Sequence, residues 1–460
     1  MKRLIDVEDS QETDEACEPA QEPNAINSNL ALDVLDDDCL LSIFSHLNVL
    51  HLIELEKVCR RFKALAQRMY KIQRVLDYEE LSDQKSKETV QVRIVLREVR
   101  NISARLGPYV RTLKAQTCSF YNIDCILSDI LKGFSNLENL HLNMFDITQV
   151  SFAMLSEMFA KLKVIELENC RFSGRMERIK ACLQHATQLE ILNLSGNDSI
   201  SGYCLTDLRN IKEINLSSCF AIELFHFTQF CQNNPGLKRL NISYSCLTNG
   251  ATLRVVANHL QSIESLIVRY NHEPRTPIDY NILRNLRCLK VLELDVAPDN
   301  FTFDTCLARL AVWNALQHVA IYSGPFTQNT LHSLCSLREL RVLKLPHNRN
   351  LSDENLIQMS FAKNFHGLQE LHINHCDHIT NRGIVEVIRR CRDLRRLKLY
   401  GENITNNLIS QILPILQDRP ATLEVVALWK MIPSKIRDQI RGNPKIKLYY
   451  LSEDGMFILL

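Results

Sequence analysis

Apolar side chains recur along most of this chain in two alternating rhythms. Between Leu368 and Leu399, the residues Leu368, Leu371 and Ile373 take the spacing L-x-x-L-x-L. Alternation at a period of two marks a strand with one buried face. After Cys376 and the turn HITNRG, Ile384, Val387, Ile388 and Cys391 fall at helical spacing. The strand pattern then restarts at Leu394, Leu397 and Leu399, 26 residues after it began. The unit predicted is a strand followed by a helix, repeated.

The first apolar anchor of that unit falls at Leu137, Leu162, Leu189, Ile211, Leu237, Ile263, Leu289, Leu316, Leu340, Leu368, Leu394 and Leu423. A weak opening copy sits at Val110 and a weak closing one at Ile446, and successive spacings run from 22 to 29. One such unit cannot bury its own apolar face, so neighbours must stack. This is the pattern of a leucine-rich repeat. The fold class it predicts is α/β, a horseshoe solenoid of about 12–14 strand–helix units with a parallel sheet on the concave face. Residues 109–451 belong to it.

The first hundred residues follow other rules. Residues 1–29 are acidic and poor in apolar groups, so they are expected to be disordered. From Leu30 the composition changes. Asp36, Asp37 and Asp38 offer an N-cap and first-turn carboxylates to a helix carrying Leu40, Leu41, Phe44 and Leu47. Leu52, Leu55, Val58 and Cys59 follow, then Phe62, Leu65 and Ala66. Residues 30–75 are thus read as three short helices, too small a bundle to hold much core, which gains from burial against a partner. Residues 76–108 carry apolar positions at helical intervals up to Gly107-Pro108 and are expected to form a helical linker. Residues 452–460 form a tail ending in GMFILL, which could cap the last repeat, fold into the concave face or remain free. The segment YNHEPRTPIDYN at 270–281 interrupts the pattern and reads as a protruding loop or extended crossing.

The run from Leu35 to Ala66 resembles an F-box, usually L-P-x-E-I-L-x-x-I-F-x-x-L followed by D-L-x-x-x-x-x-V-C-+-x-W. Leu35, Leu40, Ile43, Phe44 and Leu47 match it, as do Leu52 and the run Val58-Cys59-Arg60-Arg61-Phe62. Asp36 stands where the family has proline, and Phe62 where it has tryptophan. An F-box followed by cysteine-bearing leucine-rich repeats resembles a known family arrangement, the substrate receptor of a cullin–RING ubiquitin ligase. The resemblance implies that Leu35, Leu40, Leu41, Phe44, Leu47, Leu52, Val58 and Cys59 contact a Skp-type adaptor, and through it cullin and RING subunits. It also implies that the array holds a protein substrate for ubiquitin transfer. The other reading is a binding scaffold whose N-terminal helices only cap the array.

The net charge of +1 hides an asymmetry: residues 1–56 hold 14 acids against Lys2 and Arg3, a net of −12, leaving +13 for the rest. No stacking platform or groove-reading motif accompanies that excess, so nucleic acid is not an expected partner. No apolar run is long enough to span a bilayer, and the N-terminus has no signal-like apolar core, which points to cytoplasm or nucleus. The 16 cysteines show no metal-ligand spacing. Cys170, Cys219 and Cys376 each sit three residues past the last strand anchor and read as small buried side chains with reduced thiols. Sequons at Asn193, Asn215 and Asn241 fall within predicted strands. No phosphate-binding or nucleophile motif is present, so neither an enzyme activity nor a cofactor is expected.

Strand geometry predicts the binding surface. In L-x-x-L-x-L-x the third, fifth and seventh positions face the open side, and successive strands align them into ladders. The N-terminal ladders are small, polar or acidic. The C-terminal ones gather Tyr322, Lys344, His372, Arg396, Lys398, Tyr400 and Trp429, aromatics beside cations, the residue types that dominate binding hot spots. Substrate is expected there, unless Tyr400 and Trp429 pack against each other or against the tail. His372 and His375 lie on opposite faces by alternation and are not expected to act as a pair.

Overall fold

The structure is a computed structural model describing residues 35–85, 94–120, 126–172, 176–270, 277–297, 300–313, 315–324, 326–427, 429, 432–451 and 457–459. The acidic segment 1–29 and residues 271–276 of the 270–281 interruption lie outside the described residues. The chain divides into two compact units, Met1–Lys71 and Ile72–Leu460.

Among the described residues three helices build the first unit: α1 (Asp37–Phe44), α2 (Val49–Leu55) and α3 (Arg60–Ile72). Asp36 caps α1 by accepting the Cys39 backbone N–H at 2.7 Å, and that hydrogen bond lowers its pKa. Asn48 caps α2 in the same way through the His51 N–H. The bundle core holds Leu40, Phe44, Leu52, Phe62, Leu65 and Ala66. Phe62 meets Phe44 edge to face, ring centroids 5.4 Å apart, the favoured geometry for two aromatic quadrupoles. The residue standing in place of tryptophan is therefore a core residue.

The second unit is one sheet, with sixteen strands among the described residues ordered as they occur in the chain. They are β1 (Val75–Asp77), β2 (Thr112–Gln116), β3 (Asn139–Asn143), β4 (Val164–Glu168), β5 (Ile191–Asn193), β6 (Glu213–Asn215), β7 (Arg239–Asn241) and β8 (Ser265–Val268). Then come β9 (Val291–Asp295), β10 (His318–Tyr322), β11 (Val342–Lys344), β12 (Glu370–Asn374), β13 (Arg396–Tyr400), β14 (Leu423–Ala427), β15 (Ile446–Leu451) and β16 (Phe457–Leu459). All pair in parallel except β15 with β16, and a helix or 3₁₀ turn follows nearly every strand. This is the leucine-rich-repeat solenoid that the hydrophobic pattern predicts.

Register follows the anchors. Leu140, Ile165, Leu192, Ile214, Leu240, Leu266, Leu292, Val319, Leu343, Leu371 and Leu397 are aligned across the sheet and buried. The cysteines past the strands do more than fill space. Cys170, Cys219 and Cys376 donate their thiols to Leu142 O, Leu194 O and Leu345 O of the preceding repeat, at 3.6, 3.0 and 3.2 Å. At the equivalent place Asn197 and Asn348 donate Nδ2 to Leu167 O and Ile321 O. Burial pushes the Cys170 thiol up to about 12 and the other two to about 11, so each keeps the proton it donates.

Two expectations need correction. The segment 76–108 is not only a helical linker: β1 pairs with β2, and Ile94 bridges Phe120. The helices α4 (Tyr78–Lys85) and α5 (Leu96–Leu106) belong to a first repeat that opens at Val75. At β14 the register differs by one residue, because Val425 and Ala427 pair with Leu397 and Leu399. The small Ala427 is the last anchor, so Trp429 lies one place past the seventh position predicted for it. Of the three readings of the terminal tail, its residues Phe457–Leu459 take the first and cap the last repeat: β16 adds antiparallel to the sheet edge, with Leu451 opposite Phe457.

Candidate functional site

In the helical unit, the eight predicted adaptor contacts separate by burial. Leu40, Phe44 and Leu52 belong to the bundle's own core. Leu35, Leu41, Leu47 and Cys59 are half-buried, and Val58 is 64% exposed. Ile43, which the motif match includes, is 42% exposed. Arg61 fixes the start of this surface through an ion pair to Asp37 at 2.8 Å and a hydrogen bond to Leu35 O. A small bundle that leaves Val58 and Ile43 in water has apolar area to offer.

On the sheet, most of the predicted C-terminal residues are occupied with neighbouring carboxylates or a backbone carbonyl. Lys344 Nζ lies 2.9 Å from Glu293 Oε1, and His318 Nε2 lies 2.9 Å from the same atom. Burial alone would raise the Glu293 pKa, but these two partners outweigh it and hold the group at about 2. His372 contacts Glu370 at 2.5 Å, and burial lowers its pKa, so a neutral imidazole donates to that carboxylate. Arg396 pairs with Glu424 at 3.2 Å and approaches Glu370 at 3.9 Å. Lys398 and Tyr400 are half-buried. Trp429 gives its indole N–H to Ile404 O at 2.9 Å, in the turn after β13. It lies one residue beyond the ladder and is spent on that turn.

The sheet's open cleft lies where the strands end. A cavity of about 700 Å³ runs along the C-terminal ends of β8 to β12. Tyr322 is its one predicted member. Arg269, Asp295, His347, Arg349 and His375 also line it. The Arg269 guanidinium lies over the Tyr322 ring at 3.6 Å and over the Tyr244 ring at 5.2 Å. Asp295 accepts the Tyr270 backbone N–H at 2.8 Å, and burial raises its pKa. Burial pushes the Tyr322 hydroxyl up to about 12, with the Glu293 carboxylate adding to it. His347 and His375 stack face to face, centroids 4.7 Å apart and planes 10° off parallel. Burial lowers the His347 pKa, and its neighbours His375 and Arg269 add to that.

Backbone geometry explains why these histidines were not foreseen. The residue after the seventh position turns the chain out of the strand with positive φ: Met144, Asn169, Ser218, Tyr244, Ser323, His347 and His375 lie between 51 and 64°, and Gly196 at 73°. Left-handed backbone is costly for most of these residue types, so glycine would be the expected signal. Only one of the eight is glycine.

Residues 32–74 match the family model of the F-box domain. No curated protein sequence matches the chain. Among solved structures, a chain of the yeast Rad7 and Elc1 complex is similar over 90% of both chains, at 15% identity and a TM-score of 0.46. Among the described residues no cluster of side chains could hold a metal ion, and no helix is long and apolar enough to cross a membrane.

Proposed function

We propose that this F-box and leucine-rich-repeat chain is the substrate receptor of a cullin–RING ubiquitin ligase. The helical unit binds a Skp-type adaptor, and the open face of the sheet holds a protein substrate. Ubiquitin transfer then follows from proximity, since a tethered lysine meets the charged conjugating enzyme at high effective concentration. The carrying observation is an F-box at residues 32–74 whose small bundle leaves Val58 and Ile43 exposed. Burying such side chains contributes roughly 25 cal/mol per Å² of apolar surface.

The placement of the motif residues selects the test. Substituting Phe44, which is buried, would unfold the bundle rather than probe an interface. Val58→Asp and Ile43→Asp change exposed side chains. In capture of the full chain on purified Skp-type adaptor, each is expected to weaken binding at least tenfold, about 1.4 kcal/mol, with thermal unfolding unchanged. A wild-type chain that fails to bind adaptor, or variants that bind as well as it does, would leave the scaffold reading in its place.

A further inference from the structure

The cleft at the ends of β8 to β12 contains an arginine whose chemistry is unfinished. Arg269 lies over two tyrosine rings, Tyr244 on the β7 side and Tyr322 on the β10 side. Rings on its faces leave the guanidinium only its edge for recognition. Along that edge Asp295 Oδ1 stands 3.5 Å from Nε, too long for a good hydrogen bond. Nε is buried without a hydrogen-bond acceptor, and the Nη groups donate to no described residue. A planar fork presented edge-on matches a carboxylate, which can accept two parallel N–H bonds.

Charge narrows the choice among anions. Arg269 and Arg349 line the same cavity as Asp295 and Asp377, so its arginines and aspartates balance. A phosphate dianion would meet two carboxylates with no surplus of cations. A single carboxylate needs only the Nη groups, which donate to no described residue. Beside it His347 and His375 stack face to face, with the Tyr400 ring 6.5 Å from His375 and tilted by 52°. The stacked histidines, both in the lining, offer aromatic surface to the side chain next to the carboxylate.

We propose that this cleft binds the free C-terminal carboxylate of a peptide chain, held by Arg269, with the last side chain against the His347–His375 pair. The proposal rests on the reading that the open face of the array takes a protein substrate, and it names the part of the substrate recognised.

The test uses the full-length chain and fluorescein-labelled peptides with a common Gly-Ser stem and every two-residue ending, each made as free acid and as C-terminal amide. At least one ending is expected to bind at least tenfold more tightly as acid than as amide. Arg269→Gln and the charge-conserving Arg269→Lys should both abolish that preference, since lysine lacks the fork. His347→Ala/His375→Ala should weaken the acid while keeping its advantage over the amide. Two further probes carry amidated ends, one with an internal glutamate and one with phosphoserine. If either binds better than every free acid, the cleft reads another anion and the proposal is overturned. It is equally overturned if no ending prefers the acid, or if the preference survives in a folded Arg269→Lys protein. Adaptor capture by the same variants should be unchanged, so failure here is separable from failure of the ligase reading.

Discussion

Lys344 reaches Glu293 across a neighbouring strand because Ala320, its counterpart on β10, is too small to intervene. The ladder thus spends a cation that otherwise faces a partner. A carboxylate this buried has little water to fall back on, so removing one of its two cationic or imidazole partners is expensive. Lys344→Ala is expected to cost roughly 2 kcal/mol, read by urea unfolding at neutral pH. The folded pKa of Glu293, about 2, lies below its ordinary value of 4.5. Its contribution is therefore fully present above about 4.5 and is lost as pH falls toward about 2. Lys344→Ala should flatten the stability curve across that acid window. Residue types at the ladder positions were legible from spacing alone. Which of them are already satisfied was not, because Lys344 and Glu293 lie 51 residues apart and their meeting depends on the size of a third residue between them.

Each element carries its own devices for closing the helix ends. Arg419 is 3% exposed and donates to three carbonyls of the preceding repeat, those of Ile388, Arg392 and Leu394. These lie at and just past the C-terminal end of the helix Asn381–Arg390, where carbonyls lack intrahelical partners and a cation is favoured. Asn234 plays a similar part earlier, bonding Leu208 O and Phe230 O and accepting the Ile211 N–H. Arg419→Met fills the same volume but strands those carbonyls. A loss of about 3 kcal/mol is expected, with faster hydrogen exchange over Asn381–Arg390 as the local readout. At this scale the periodicity placed the repeats from Val110 to Leu394 in the register the sheet adopts. It failed where anchors are small or few, at Ala427 in β14 and in the three-residue β1, because a pattern built on leucine does not see alanine as an anchor.

The molecule as a whole joins a small helical unit with exposed apolar side chains to a long sheet whose cleft lies at its strand ends. The helical unit was legible through its motif, and the array through its repeat. The cleft was not: the spacing aligns Arg269, Asp295 and Tyr322 in one ladder, but the histidines beside them project from left-handed turns that no glycine announces. The sheet also ends deliberately: the antiparallel β16 occupies the edge on which a further parallel strand would otherwise add.

The thiols tucked between repeats turn the array into its own recorder of local opening. Cys170, Cys204, Cys219, Cys231, Cys306, Cys376 and Cys391 are shielded, whereas Cys118, Cys246 and Cys288 are exposed. A solenoid opens segment by segment rather than all at once. Under a short pulse of alkylating reagent, the exposed thiols should be modified immediately, and each shielded one only when its own repeat breathes. Mass spectrometry of the digested chain would then give a clock at each position. Slow modification at Cys231 and Cys306 with faster modification near the array ends would chart where the solenoid frays first.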